Sequence, residues 1–167
     1  MKKILIHLLK PLSFLPAILM MYLIYSFSAQ TGEVSGALSY EVSYQIVETK
    51  NEVLNENKTE TELAYSASSI EFYVRKAAHM TEYCILAIAI SFPFYVYGVR
   101  GIWLILLAGA VCVGFAGLDE YHQSFVNGRG PSVRDVCIDS SGAAIGILLV
   151  QAFCWPTTHN PSSKKRR

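Results

Sequence analysis

The sequence has few charged residues, and long parts of it have none. Charged side chains make up 16% of the 167 residues, whereas hydrophobic ones make up 52%. Four windows contain no charged residue at all, namely 11–32, 83–99, 101–118 and 140–163. Each window is close to the roughly 20 apolar residues that a transmembrane helix needs. This pattern argues against an ordinary soluble domain and predicts an all-α membrane protein with a bundle of four transmembrane helices.

The charge-free windows also predict where the helices cross the membrane. We place the spans at about 11–29, 77–97, 101–118 and 136–155, in one membrane domain that covers 11–155. The first span has an alternative interpretation as a signal peptide, because a basic segment precedes it and small residues follow it. Residues 1–10 and the basic tail 156–167 then flank the domain on the cytoplasmic side.

Motifs for metal binding, catalysis and nucleic-acid binding are missing. The four cysteines have no CxxC spacing, which argues against a disulfide framework or a zinc site. The only dense basic run, at 164–167, follows a hydrophobic span and is typical of a cytoplasmic anchor. We therefore predict the lipid bilayer as a partner, no nucleic acid, and no cofactor or metal that can be assigned.

The segment 30–74 differs sharply from the rest of the chain. Its eight glutamates and two lysines give a net charge of −6, which predicts a solvated, extracytoplasmic loop. Four apolar residues recur there at every fourth position, namely Val34, Leu38, Val42 and Ile46. This spacing predicts an amphipathic helix that lies on the membrane or over the mouth of the bundle. Residues 51–62 are polar, and we expect them to be mobile.

Helix starts and close helix contacts are also encoded locally. Ser68 with Glu71, and Ser132 with Asp135, have capping-box spacing, so we predict that one helix begins near 68 and another near 133. Gly142 and Gly146 form a GxxxG pattern, which allows another helix to approach closely.

The basic residues predict the orientation. With the N-terminus in the cytoplasm, Lys10, Arg100 and the tail at 164–167 all lie inside, in agreement with the positive-inside rule. Three polar stretches, 26–30, 75–83 and 119–139, then meet at the outward end of the bundle. Their side chains form the candidate pocket, which comprises Gln30, Arg75, Lys76, His79, Glu82, Tyr83, Asp119, Glu120, His122, Gln123, Arg129, Arg134, Asp135 and Asp139.

These residues have three interpretations. They could form ion pairs that pin the helix ends, because charges inside a membrane must be paired. Four of them, namely His79, Glu82, Glu120 and His122, could bind a metal or act as acid and base. They do not form the HExxH motif of zinc hydrolases. The basic residues with the glycines at 128–130 could instead form an anion pocket for a phosphate or carboxylate, which is the interpretation we prefer.

The same stretches carry a family resemblance. They read Tyr25–Gln30 (YSFSAQ), Arg75–His79 (RKAAH) with Glu82, Asp119–Phe125 (DEYHQSF), Gly128-Arg129, and Val133–Val136 (VRDV) with Asp139 and Gly142. On these motifs, the chain resembles the VanZ-like family of membrane proteins over about residues 19–148. Asn127 departs from the pattern, because a proline is usual there.

The resemblance implies a multi-pass protein of the bacterial cell membrane. The family takes its name from a protein of teicoplanin resistance, so we expect the outward pocket to engage a cell-envelope lipid or glycopeptide and to contribute to glycopeptide resistance. The resemblance supplies no reaction and no catalytic residue. Two alternatives remain, namely a hydrolase or transferase that acts on an envelope lipid, and a structural protein that binds a partner through its acidic loop.

Overall fold

The computed structural model describes residues 10–158, and side chains up to residue 153. A short 3-10 helix, Lys10–Phe14, leads into α1 (Leu15–Ser28). The chain continues through α2 (Gly32–Leu54), α3 (Glu60–Val96), α4 (Ile102–Gln123) and α5 (Val133–Thr158). The predicted flanks at 1–9 and 159–167 lie outside the described residues. Helix is the only regular secondary structure between residues 10 and 158.

Four of these helices are long and apolar enough to cross a membrane. They are α1 with its preceding 3-10 turn, α3, α4 and the part of α5 up to residue 153. In their most apolar windows, only 22% to 33% of the residues are buried inside the protein. Most apolar side chains therefore face outward, as expected in lipid. The predicted all-α protein with four membrane helices is confirmed.

The helix α3 begins well before the predicted position. Thr59 is its N-cap, and the Thr59 backbone N–H donates to Glu62 Oε2 at 2.8 Å, while the Glu62 N–H donates to the Thr59 hydroxyl at 3.4 Å. Ser68 lies inside the helix and donates to the Ala64 carbonyl. The predicted start near 68 is wrong. Thr59 with Glu62 has the same capping-box spacing as Ser68 with Glu71, and the helix begins at the earlier pair. At 37 residues, α3 is about 55 Å long.

The helix α2 runs back along the first half of α3. Ser43 and Ala67 are both fully buried, and Val47 and Leu63 are buried one turn further along. Since these positions run in opposite directions along the two helices, they define an antiparallel pair. We call residues 32–76 the hairpin.

The hairpin corrects the prediction of an acidic loop with a mobile segment. Most of 30–74 is helical, and only 55–59 separates α2 from α3. In this linker, Glu56 pairs with both Lys50 and Lys58, and the hydrogen bond from Lys58 lowers the pKa of Glu56. The predicted apolar stripe exists, with exposures between 47% and 52% at Val34, Leu38, Val42 and Ile46. Leu38 of this stripe lines a cavity together with Arg75, Ala78 and His79 of α3, so the first turns of α2 lie beside the mouth of the bundle.

The GxxxG pattern of α5 packs against α3. A Cβ atom at Gly142 would overlap the Met80 carbonyl, and one at Gly146 would overlap the Cys84 carbonyl. The two backbones can approach this closely only because these positions lack side chains. The predicted close approach of another helix is therefore confirmed.

The opposite end of the bundle brings the remaining helix ends together. Phe14 before α1 contacts Tyr97 after α3, with ring centroids 5.9 Å apart. Gln151 near the end of α5 donates to the Gly101 carbonyl before α4 at 2.7 Å. The four membrane helices therefore run up and down in alternation, which brings Ser28, the start of α5 and the end of α4 to one membrane face.

Removal of the Thr59 cap tests the corrected start of α3. We expect Thr59→Ala to destabilise the first turn by about 1 kcal/mol, because the N–H of Glu62 loses its acceptor. The measurement is amide hydrogen exchange at residues 60–63. Ser68→Ala is the matched control, since Ser68 caps nothing. Faster exchange in Ser68→Ala than in Thr59→Ala would contradict the assignment.

Candidate functional site

The three polar stretches meet at one end of the bundle, as the sequence predicts. Ser28 at the end of α1 donates its hydroxyl proton to Asp119 Oδ2 at 2.7 Å. Gln123, one turn beyond Asp119 on α4, donates to the same oxygen at 2.9 Å and to Ser28 Oγ at 3.2 Å. All three side chains are buried. This cluster holds the ends of α1 and α4 together and forms the floor of the site.

The loop 124–132 is fixed against the start of α2. The Gly32 N–H donates to the Asn127 carbonyl at 3.0 Å. A Cβ atom at Gly32 would overlap the Gly128 carbonyl, and Gly128 has a φ of +75°. Both positions therefore need glycine, one for the close approach and one for the left-handed backbone. The contact places Arg129 at the mouth of the bundle.

Glu120 of α4 completes the cap of α5. The Asp135 N–H donates to Ser132 Oγ at 3.2 Å, as the capping-box spacing predicts. The Ser132 N–H, however, donates to Glu120 Oε2 at 2.7 Å instead of to Asp135. Asp135 pairs with Lys76 of α3 at 2.6 Å. These contacts fix the start of α5 against both α3 and α4.

Two adjoining cavities open between the hairpin and these helix ends. Their volumes are about 110 and 170 Å³, and we call them the polar cavities. Ser35, Arg75, His79 and Arg129 line both of them. The smaller cavity also has an apolar side, which is formed by Phe27, Leu38 and Ala78.

The cations around the polar cavities differ in how they are paired. Arg75 pairs with Glu71 and donates to Ser39 Oγ, and Lys76 pairs with Asp135. Arg129 donates only to the Phe27 carbonyl, at 3.4 Å, and no described carboxylate lies within ion-pair distance of it. Burial and the neighbouring Arg75 guanidinium lower the pKa of Arg129 from its ordinary value. An anion beside Arg129 would relieve both effects.

His79 also has capacity for a ligand. Its Nδ1 atom is buried and has no hydrogen-bond partner among the described residues. The nearest carboxylate oxygen, Glu82 Oε2, is 3.9 Å away, which is too long for a hydrogen bond. Because His79 lines both polar cavities, a bound molecule could supply the missing partner.

The structure divides the fourteen candidate residues into two groups. Eight line the polar cavities, namely Gln30, Arg75, Lys76, His79, Glu82, Gln123, Arg129 and Asp135. The other six lie behind or beside the lining, namely Tyr83, Asp119, Glu120, His122, Arg134 and Asp139. Of these six, His122 stacks on Tyr25 with ring centroids 4.6 Å apart, and the Arg134 guanidinium lies 5.1 Å from the Phe72 ring centroid.

The metal and acid–base interpretation required four residues to act together. The structure separates them, because Glu120 caps α5 and His122 stacks on Tyr25, whereas His79 and Glu82 line a cavity. Within residues 10–158, no three His, Cys, Asp or Glu side chains are placed to hold a metal ion. The ion-pair interpretation applies to part of the set, since Lys76 and Asp135 join α3 to α5.

Three serines that are not among the predicted site residues contribute to the site. Ser28 binds Asp119, Ser35 lines both cavities, and Ser39 accepts from Arg75. For Ser35 and Ser39, the sequence indicates this role only through their position relative to the apolar stripe. Ser35 and Ser39 each follow a residue of the apolar stripe, so they lie on a different face of α2, which packs against α3.

Comparison with known proteins gives one match. The family model described as VanZ/LLP1 matches residues 13–154, which include the four membrane helices, the hairpin and all residues of the polar cavities. No curated protein sequence and no solved structure matches the chain. A match over most of the length, together with the motifs at the helix ends, establishes the relationship. The chain belongs to the VanZ/LLP1 family.

Proposed function

We propose that this protein binds a phosphate or carboxylate group of a cell-envelope lipid or glycopeptide in its polar cavities. One observation carries the proposal. The guanidinium of Arg129 lies at a wall shared by both cavities, has no carboxylate partner among the described residues, and is close enough to Arg75 to be affected by its charge. Two guanidinium groups beside one cavity favour an anion, because each can donate charge-assisted hydrogen bonds to it.

The surroundings of the two arginines fit a lipid headgroup. Lys76 and His79 add further donors to the lining, and a Cβ atom at Gly130 would meet nothing within 4 Å, so the chain leaves space beside Arg129. Phe27 and Leu38 offer apolar surface next to these polar groups. A molecule with a charged head and an apolar tail would satisfy both kinds of surface.

We further propose that the polar cavities face outward from a bacterial cell membrane. Lys10 and Arg100 lie at the end of the bundle opposite the cavities. With the basic tail at 164–167 they favour the cytoplasm for that end and for both termini, whereas Arg75, Lys76, Arg129 and Arg134 run against the positive-inside rule. The segment 30–74, with its net charge of −6, then lies outside. This orientation would present the site to the lipids and glycopeptides of the envelope.

A role in glycopeptide resistance can be tested genetically. We expect deletion of the gene to lower the minimal inhibitory concentration of teicoplanin, and the wild-type gene to restore it. Arg129→Gln should fail to restore it, because the cavities lose the cation that has no carboxylate partner among the described residues. Arg134→Gln, whose arginine lies over Phe72 outside the cavities, is the matched control and should restore it. If susceptibility is unchanged on deletion, or if both variants restore it at equal expression, the resistance role is wrong.

A further inference from the structure

A second group of ionisable residues lies beneath the polar cavities, inside the membrane bundle. Asp139 of α5, one turn below Asp135, is only 1% exposed, yet its Oδ1 atom has no hydrogen-bond partner. No described lysine or arginine pairs with it. The nearest candidate, Lys76, is already paired with Asp135 at 2.6 Å. Asp139 is thus a buried carboxyl group without a counter-ion among the described residues.

The ionisable groups around Asp139 are mostly acidic. The groups that act on it electrostatically are Asp119 and Glu120 of α4, Asp135 of its own helix, and Lys76 of α3. Three of these four are acidic, and the fourth, Lys76, is already paired with Asp135.

Tyr83 of α3 is a second buried side chain whose polar atom has no described partner. Its side chain is completely buried, and its hydroxyl group has no partner among the described residues. Both Asp139 and Asp119 lie close enough to act on Tyr83 electrostatically. Asp119 is 4% exposed, and its Oδ1 atom is also without a partner, because Ser28 and Gln123 both donate to Oδ2.

Asp139 Oδ1, Tyr83 Oη and Asp119 Oδ1, from three helices, are therefore each buried without a hydrogen-bond partner among the described residues. A proton is the smallest ligand that would stabilise this arrangement, since it removes the buried charge and adds a hydrogen-bond donor. A metal ion fits less well, because no three metal-ligating side chains within residues 10–158 converge on a common point.

We propose that Asp139, with Tyr83 and Asp119 beside it, is a proton-binding site in the membrane bundle, and that Asp139 is the group that takes up the proton. Gln123 connects this site with the polar cavities, because it lines the larger cavity and donates to Asp119. The inference does not depend on an anion being bound there.

Infrared spectroscopy of the full-length protein in lipid nanodiscs tests this site. The carbonyl stretch of a protonated carboxylic acid is separate from the bands of carboxylates. At neutral pH we expect this band in the wild type, its loss in Asp139→Asn, and its retention in Glu71→Gln, which removes an ion-paired carboxylate of the hairpin. Absence of the band in the wild type, or an unchanged band in Asp139→Asn, would overturn the proposal.

Two further measurements keep the test decisive. If Asp139→Asn does not fold, ¹³C labelling of the three aspartates must shift the band in the wild type, and Asp119→Asn and Asp135→Asn must each retain the shifted band. An unshifted band, or its loss in either of these variants, overturns the proposal. Exchange of choline for sodium at constant pH separates a proton from a monovalent cation. Loss of the band on addition of sodium would show that a cation competes for the site, and that neutral Asp139 is not its working state.

Discussion

Gly142→Ala and Gly146→Ala are each expected to destabilise the bundle by about 1–3 kcal/mol. In α5, a methyl group at either position would overlap a backbone carbonyl of α3, that of Met80 or that of Cys84. Backbone atoms cannot move aside as the end of a flexible side chain can, so the two helices must separate. Since α3 and α5 form the most extensive helix pair of the bundle, their separation would also loosen the polar cavities above.

The control for this prediction lies on α4. Gly114 and Gly117 are exposed, and a Cβ atom at either would meet nothing within 4 Å. Alanine there should be neutral, or stabilise the helix by up to about 1 kcal/mol. Thermal unfolding in detergent micelles measures all four variants. Equal unfolding temperatures for the α4 and α5 variants would show that the close contact between α3 and α5 is incorrect.

Arg129→Gln is expected to weaken the binding of an anionic headgroup about 10- to 100-fold, because a hydrogen bond to a charged group contributes about 1.5–3 kcal/mol. The effect should be large because Arg129 is the cation of the cavities without a described carboxylate partner, whereas Arg75 and Lys76 are partly neutralised by Glu71 and Asp135. Binding of a short-chain phosphatidic acid to detergent-solubilised protein, measured by calorimetry, gives the comparison.

Arg134→Gln separates a specific site from general attraction. It removes the same charge from the same membrane face, but its guanidinium lies over Phe72 and outside both cavities. We expect its affinity to stay within about twofold of the wild type, since exposed charges contribute little. A similar loss in both variants would mean that net charge, and not the cavity, attracts the lipid.

The membrane helices could be predicted because their signal is local. Windows without charge report directly on a lipid environment, and Ser132 with Asp135 fixed the start of α5. The hairpin could not be predicted in the same way. Thr59 with Glu62 and Ser68 with Glu71 have the same spacing, and the choice between them depends on whether α2 is present to bury Leu63 and Ala67. The start of α3 therefore depends on tertiary contacts, which the local spacing does not reveal.

The convergence of the site residues could also be predicted, because alternating helices bring every second end to the same membrane face. Their individual roles could not. Glu120 lines no polar cavity because the Ser132 N–H is within its reach, and Asp119 is held by Ser28 and Gln123. These hydrogen-bond partners depend on the rotation of each helix about its own axis, which the sequence patterns do not determine. Ser35 and Ser39 were missed because their only signal was indirect, namely that each follows a residue of the apolar stripe and so lies on another face of α2.

The most direct test of anion binding is nuclear magnetic resonance of the arginine side chains during a titration with short-chain phosphatidic acid. The Nε resonances of Arg75 and Arg129 should shift and saturate together, because both groups line the two cavities. The Nε resonance of Arg134 should stay in place. Equal shifts without saturation at all three arginines, or a saturable shift confined to Arg134, would contradict an anion site between Arg75 and Arg129.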